Sequence, residues 1–142
     1  MPGESIFPTL EPLLEQVSKP IQYVGGELNS TVKDWTVGGD HTVRWALMYP
    51  DAYEVGVPNQ GSMILYEVLN ERPDTLAERT YSVWPDMEAL MREHEVPQFT
   101  VDAHRPLGDF DLFGLSFSTE LGYTNMLTAL DLGGIPLHAV DR

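Results

Sequence analysis

Apolar runs of strand length alternate along this chain with amphipathic helical patterns, and that alternation restricts the fold more than any other feature. "HTVRWALMYP" carries Val43, Trp45, Ala46, Leu47 and Met48 nearly unbroken, so residues 42–48 are expected to form a strand covered on both faces. After a loop, "SMILYEVLN" sets Ile64, Leu65, Val68 and Leu69 on one helical face. Asn70 and Pro73 then close that helix. "RTYSVW" at 79–84 reads as a second strand, and Pro85 suits the first position of a helix through "DMEALMREHEV". "FDLFGLSFS" at 110–118 is the third strand. Thr119 is placed to cap "ELGYTNMLTALDL", where Tyr123, Leu127 and Leu130 share a face, and Gly133 and Gly134 stop it. "IPLHAV" reads as the start of a fourth strand. Such alternation requires right-handed crossovers and a mostly parallel sheet. The expected class is α/β, doubly wound, with about four strands in the order 2-1-3-4.

Residues 1–41 form a lead-in. Leu10, Leu13, Leu14 and Val17 recur at helical spacing and Pro20 ends that helix, after which "QYVGGELNSTVKDW" reads as turns or a small hairpin. The domain proper is expected over 42–142. Doubly wound sheets ordinarily have five or more strands, so the chain reads as the front part of something larger.

At 142 residues there is material for one domain. Acidic residues outnumber basic ones 22 to 8, a net charge of −14. No lysine or arginine cluster exists to neutralise phosphates, which argues against direct nucleic-acid binding. The acidity reads as a solvated surface. With no cysteine, disulfides, thiolate metal sites, a cysteine nucleophile and cysteine-ligated iron–sulfur clusters are excluded from this chain. No run reaches the ~20 apolar residues of a membrane helix, and the N-terminus lacks the basic flank of a signal peptide. A cytoplasmic location is expected.

The loop "YPDAYEVGVPNQG" has glycines at 56 and 61 but continues Ser62-Met63 instead of Lys-Ser/Thr, so it lacks the charge that meets nucleotide phosphates. Its position is more informative. In a 2-1-3-4 sheet, the loops after the first and third strands face each other outside the carboxyl ends, where such sheets bind ligands. Asn59, Gln60 and Gly61 form one expected wall, and Ser116, Phe117, Ser118, Thr119 and Glu120 the other. These are mostly neutral hydrogen-bonding groups around an apolar slot, suited to a large uncharged ligand or a partner protein. They also have a plain reading as helix caps and turn residues. The four histidines at 41, 94, 104 and 138 have no ligand spacing. Asp51 and Glu54 flank Tyr53 but read as solvated loop carboxylates. Ser116 and Ser118 lie outside a G-x-S-x-G elbow.

"KPIQYVGGELN" at 19–29, the run "YPDAYEVG…WPDMEALM" at 49–91 and "PLGDFDLFGLSFSTELGYTNMLTALDLGGIPL" at 106–137 resemble one family. It is the N-terminal region of radical S-adenosylmethionine (SAM) proteins that carry a cobalamin-binding-like domain ahead of a catalytic barrel. The resemblance implies a Rossmann-like, cobalamin-type domain. It also implies a barrel holding an iron–sulfur cluster through C-x-x-x-C-x-x-C and cleaving S-adenosylmethionine to a radical. Cluster and S-adenosylmethionine would belong to a C-terminal part absent from this chain, and cobalamin is the candidate cofactor for the domain. One departure is specific: "DAYEVG" places Tyr53 where the histidine of D-x-H-x-x-G would ligate cobalt.

The resemblance thus implies an accessory domain that is non-catalytic alone, with the barrel as its partner in the parent enzyme. The competing reading is an acidic protein-interaction module on the same scaffold, self-associating through an open sheet edge. A stand-alone enzyme using Asp51, Glu54 or Ser118 has no spacing to support it.

Overall fold

A computed structural model describes all 142 residues, Met1–Arg142. Three parallel strands form the sheet: β1 (Val43–Ala52), β2 (Thr75–Ser82) and β3 (Leu112–Leu115), in the order β2-β1-β3. The helices are α1 (Phe7–Leu14), α2 (Tyr53–Gly56), α3 (Gln60–Glu71), α4 (Pro85–Glu93) and α5 (Gly122–Leu132). The expected α/β class and strand order hold, and the fourth strand does not. The segment "IPLHAV" contains no strand and leads into a 3-10 turn at Ala139–Asp141. Its turn is held by the Arg142 guanidinium, which donates to the carbonyls of Pro136 and Leu137 at 2.8 and 3.0 Å.

Local chemistry explains most elements. Asn59 accepts the Ser62 N–H at 2.9 Å and so caps α3. Pro85 starts α4, where its missing N–H costs nothing. Beyond α5, Ile135 N–H reaches back to the Leu130 carbonyl at 2.9 Å, closing the expected glycine stop. Thr119 is not the cap of α5. That helix starts at Gly122, and the carbonyls of Thr119 and Glu120 accept from Gly122 and Tyr123 in a preceding turn. After α1 the lead-in forms no hairpin, only 3-10 turns at Pro20–Tyr23 and Gly39–His41 and further turns. Gly25 has φ +67°, and a Cβ there would lie 2.2 Å from the Val101 carbonyl.

β2 lies at the edge of the sheet, yet residues 75–81 are all buried. Its outer edge is covered by a loop and by side chains that imitate a neighbouring strand. The Asn70 amide donates to and accepts from Ala77 backbone at 2.9 and 3.0 Å. Val101 N–H donates to the Arg79 carbonyl at 2.8 Å, and Arg79 N–H to Asp102 Oδ2 at 2.6 Å. Gln98 Nε2 donates to the Tyr81 carbonyl at 2.9 Å. Every second residue of the edge is thereby satisfied.

Charged residues in this strand take opposite faces. The buried Arg79 guanidinium donates to Asp102 Oδ1 at 2.7 Å and lies 4.3 Å from the centre of the Tyr66 ring. Glu78, on the other face, pairs with Arg105 and accepts from Thr100 Oγ1 at 2.5 Å.

One apolar core joins Leu10, Leu13 and Val17 to Met87, Met91, Val96 and Phe99, so the first helix packs on α4. A smaller one groups Leu47, Tyr66 and Ala77 under α3. The apolar face expected on α3 is only partly covered: Leu69 is half-buried against this core. Ile64, Leu65 and Val68 are 59, 52 and 54 % exposed, and Tyr66 is the buried residue. Polar anchors set the rotation: Tyr66 hydroxyl meets Thr31 N–H at 2.6 Å and Asp102 at 3.1 Å, while Asn70 meets Ala77. Helix α5 covers the opposite face, where Asn125 Nδ2 donates to the Pro50 carbonyl at 2.9 Å. α4 joins it there through Arg92 and Asp131 at 2.8 Å.

Two outcomes are expected in urea unfolding. Asp102→Ala strands a buried guanidinium and an edge N–H, so a loss of about 3–5 kcal/mol is expected. A loss below about 1 kcal/mol would show that Glu27, whose Oε2 is 3.9 Å from Arg79 Nη2, replaces it. His104 donates from Nε2 to the Tyr23 carbonyl at 2.9 Å, and burial holds its pKa below the usual 6.5 against the pull of Asp102 and Glu27. Its contribution is complete above the unfolded value and is lost as pH falls through it, because the unfolded chain then binds the proton first. The pH-dependence between about 7 and about 5 should therefore flatten in His104→Gln.

Candidate functional site

The strand order reverses between β1 and β3, and their carboxyl ends lie side by side. Below this point, on the α3 side of the sheet, a slot of about 260 Å³ runs between α3 and β3. Trp45, Leu47, Leu65, Val68 and Leu115 make its walls, and the side chains of Ser62 and Ser116 are its hydroxyl groups. Gly114 keeps it open, since a Cβ there would meet Leu47 at 3.0 Å and Trp45 at 3.4 Å.

The sequence-derived residues divide around it. Ser116 lines the slot opposite Ser62. Asn59 is spent on capping α3, while Gln60 and Gly61 are exposed residues of its first turn. Phe117 is half-exposed and tilts against Tyr123 with ring centres 4.9 Å apart, outside the slot. Ser118 Oγ is 2.9 Å from the Tyr49 hydroxyl, tying the loop after β3 to the carboxyl-terminal part of β1. Glu120 and Thr119 are exposed.

The carboxyl ends of β1 and β2 carry a polar cluster that sequence reasoning missed, because it is built from the lead-in. Tyr53 donates its hydroxyl to Glu27 and stands edge-on to Tyr81. Lys19 pairs with Glu54 at 2.9 Å and sits 4.4 Å above the Trp84 ring. Trp84 N–H donates to the Tyr23 hydroxyl at 3.0 Å. Gly56 allows this packing, for a Cβ there would fall 2.4 Å from the Tyr81 ring. The available signal was the phrase "KPIQYVGGELN", whose Lys19, Tyr23 and Glu27 all make these contacts.

The titratable groups of this cluster are tied to partners within the fold. Burial, reinforced by the hydrogen bond to Glu27, pushes the Tyr53 phenol up to about 12, so it stays neutral. Glu54 is held below the usual carboxylate range by Lys19, and Asp51 Oδ1 accepts the Ala52 N–H. The two carboxylates therefore do not converge as an acid–base pair. Burial pushes the Glu78 carboxyl up against the opposing pull of Thr100 and Arg105, and this group lies inside the fold. No three His, Cys, Asp or Glu side chains gather as a metal site. No helix is long and apolar enough to cross a membrane.

Neither a curated protein nor a solved structure matches the chain. A family model described as "Radical SAM proteins, N-terminal" matches residues 61–142, more than half of the chain, from the first turn of α3 through β2, β3 and α5. By that match the chain belongs to the family of N-terminal domains of radical SAM proteins.

Proposed function

We propose that this chain is a non-catalytic accessory domain whose slot between α3 and β3 holds the apolar benzimidazole base at the end of the nucleotide tail of a corrinoid, cobalamin, beside a radical SAM catalytic domain. The slot carries the reading: it is narrow and apolar, and it lies just below the switch point where doubly wound sheets bind ligands. The donor set fits holding and does not fit ligation. Trp45, Leu65, Val68 and Leu115 offer a face to a flat base, and Ser62 and Ser116 offer hydroxyls to its linker. The ligating histidine position is Tyr53, a neutral phenol engaged by Glu27. A corrinoid would therefore bind without a lower ligand from this chain. When bound, it would supply an organometallic centre to the neighbouring domain. The iron–sulfur cluster and S-adenosylmethionine of radical SAM chemistry need thiolates, which this cysteine-free chain does not provide.

The second reading, a protein-interaction module, is favoured by the exposed apolar stripe of Ile64, Leu65 and Val68 on α3. Titration with hydroxocobalamin separates the two. Saturable quenching of Trp45 fluorescence is expected, absent in Trp45→Phe, with affinity reduced at least about tenfold in Leu65→Glu. Failure to saturate, or equal affinity in Leu65→Glu, would leave the interaction reading standing.

A further inference from the structure

The two edges of the sheet are treated differently. The outer edge of β2 is closed by Asn70, Gln98, Val101 and Asp102. On β3, Asp111 N–H donates to the Arg44 carbonyl, so alternation turns the backbone groups of Leu112 and Gly114 away from β1. Nothing outside the sheet bonds to them. A groove of about 830 Å³ runs beside that edge, floored by Phe113, Leu115, Met126 and Leu130.

Handedness says what belongs there. α3 lies on one face of the sheet and links β1 to β2 on one side. α5 and α4 share the other face, and the link through α4 returns past β1 to β3. A right-handed crossover continuing from β3 through α5 must place its next parallel strand on the far side of β3, in this groove. Residues 135–140 do not supply it: they form no strand, Ile135 and Pro136 only line one end of the groove, and Arg142 fastens the turn that follows. A second copy would bring another −14 charges against this one, opposing close approach.

We infer that the open edge of β3 is a docking site for an extended, apolar strand of the radical SAM polypeptide to which this N-terminal domain belongs. The strand joins in parallel and makes β3 an interior strand. This rests on the family membership and is independent of whether the slot holds a corrinoid.

Hydrogen exchange at Leu112 and Gly114 tests it, with this chain alone and then mixed with the remainder of the radical SAM protein expressed separately. Exchange at both amides should slow at least about tenfold on mixing. Leu112→Pro, which removes an outward N–H that an edge strand can spare, should abolish capture, while Leu112→Thr retains it. Thermal unfolding of Leu112→Pro alone checks that the fold survives; if it does not, the wild-type exchange data decide. Unchanged exchange on mixing would overturn the inference. So would protection already present in an isolated chain that sediments as a dimer. Trp45 quenching reads the slot separately, so failure of one proposal is not mistaken for failure of the other.

Discussion

The ion pair of Arg79 with Asp102 is the contact on which the rest of the structure is organised. Two charges are taken out of water there, and each is surrounded by partners: Asp102 also accepts from Ser30 Oγ at 2.5 Å and from the Tyr66 hydroxyl. A buried ion pair of this kind is weak evidence for net stability, but it is exacting about geometry. It requires β2, the 98–105 loop, residues 29–31 and α3 to be in register together. The same carboxylate closes the β2 edge through Arg79 N–H, so charge burial and edge protection are one arrangement.

That arrangement also marks where the sequence was legible and where it was not. β1 and α4 were legible because apolar period and a helix-starting proline are local signals. Strand order followed from crossover handedness, which is nearly independent of side-chain detail. The orientation of α3 was only partly legible: of the apolar residues at 64, 65, 68 and 69, Leu69 packs on the core, while the tertiary polar contacts of Tyr66 and Asn70 turn the helix so that the other three stay exposed. β2 begins at Thr75, earlier than the expected residue 79, because Glu78 is a strand residue whose charge is cancelled by the distant Arg105. "IPLHAV" has β-forming composition, but composition does not supply a partner strand.

The candidate site was half legible for a related reason. Position at the switch point is a topological property, and Ser116 was found through it. Asn59 was a natural ligand candidate by chemistry, yet a helix needs its N-terminal amides satisfied and Asn59 does that locally. The walls of the slot, Trp45 and Leu65, read as core residues because a periodicity argument has no means of telling a covered apolar face from an open one.

Tyr53 has a structural use at the carboxyl end of β1. An imidazole at that position would be a potential metal ligand, whereas a phenol whose pKa is raised to about 12 is not. Its hydroxyl goes to Glu27, and Glu27 lies 3.9 Å from the guanidinium that binds Asp102. The residue thus links the loop after β1 to the lead-in and to the buried ion pair. The wall of the crevice thereby has an anchor. A loop fixed in this way is better suited to presenting a rigid surface than to rearranging around a reacting metal.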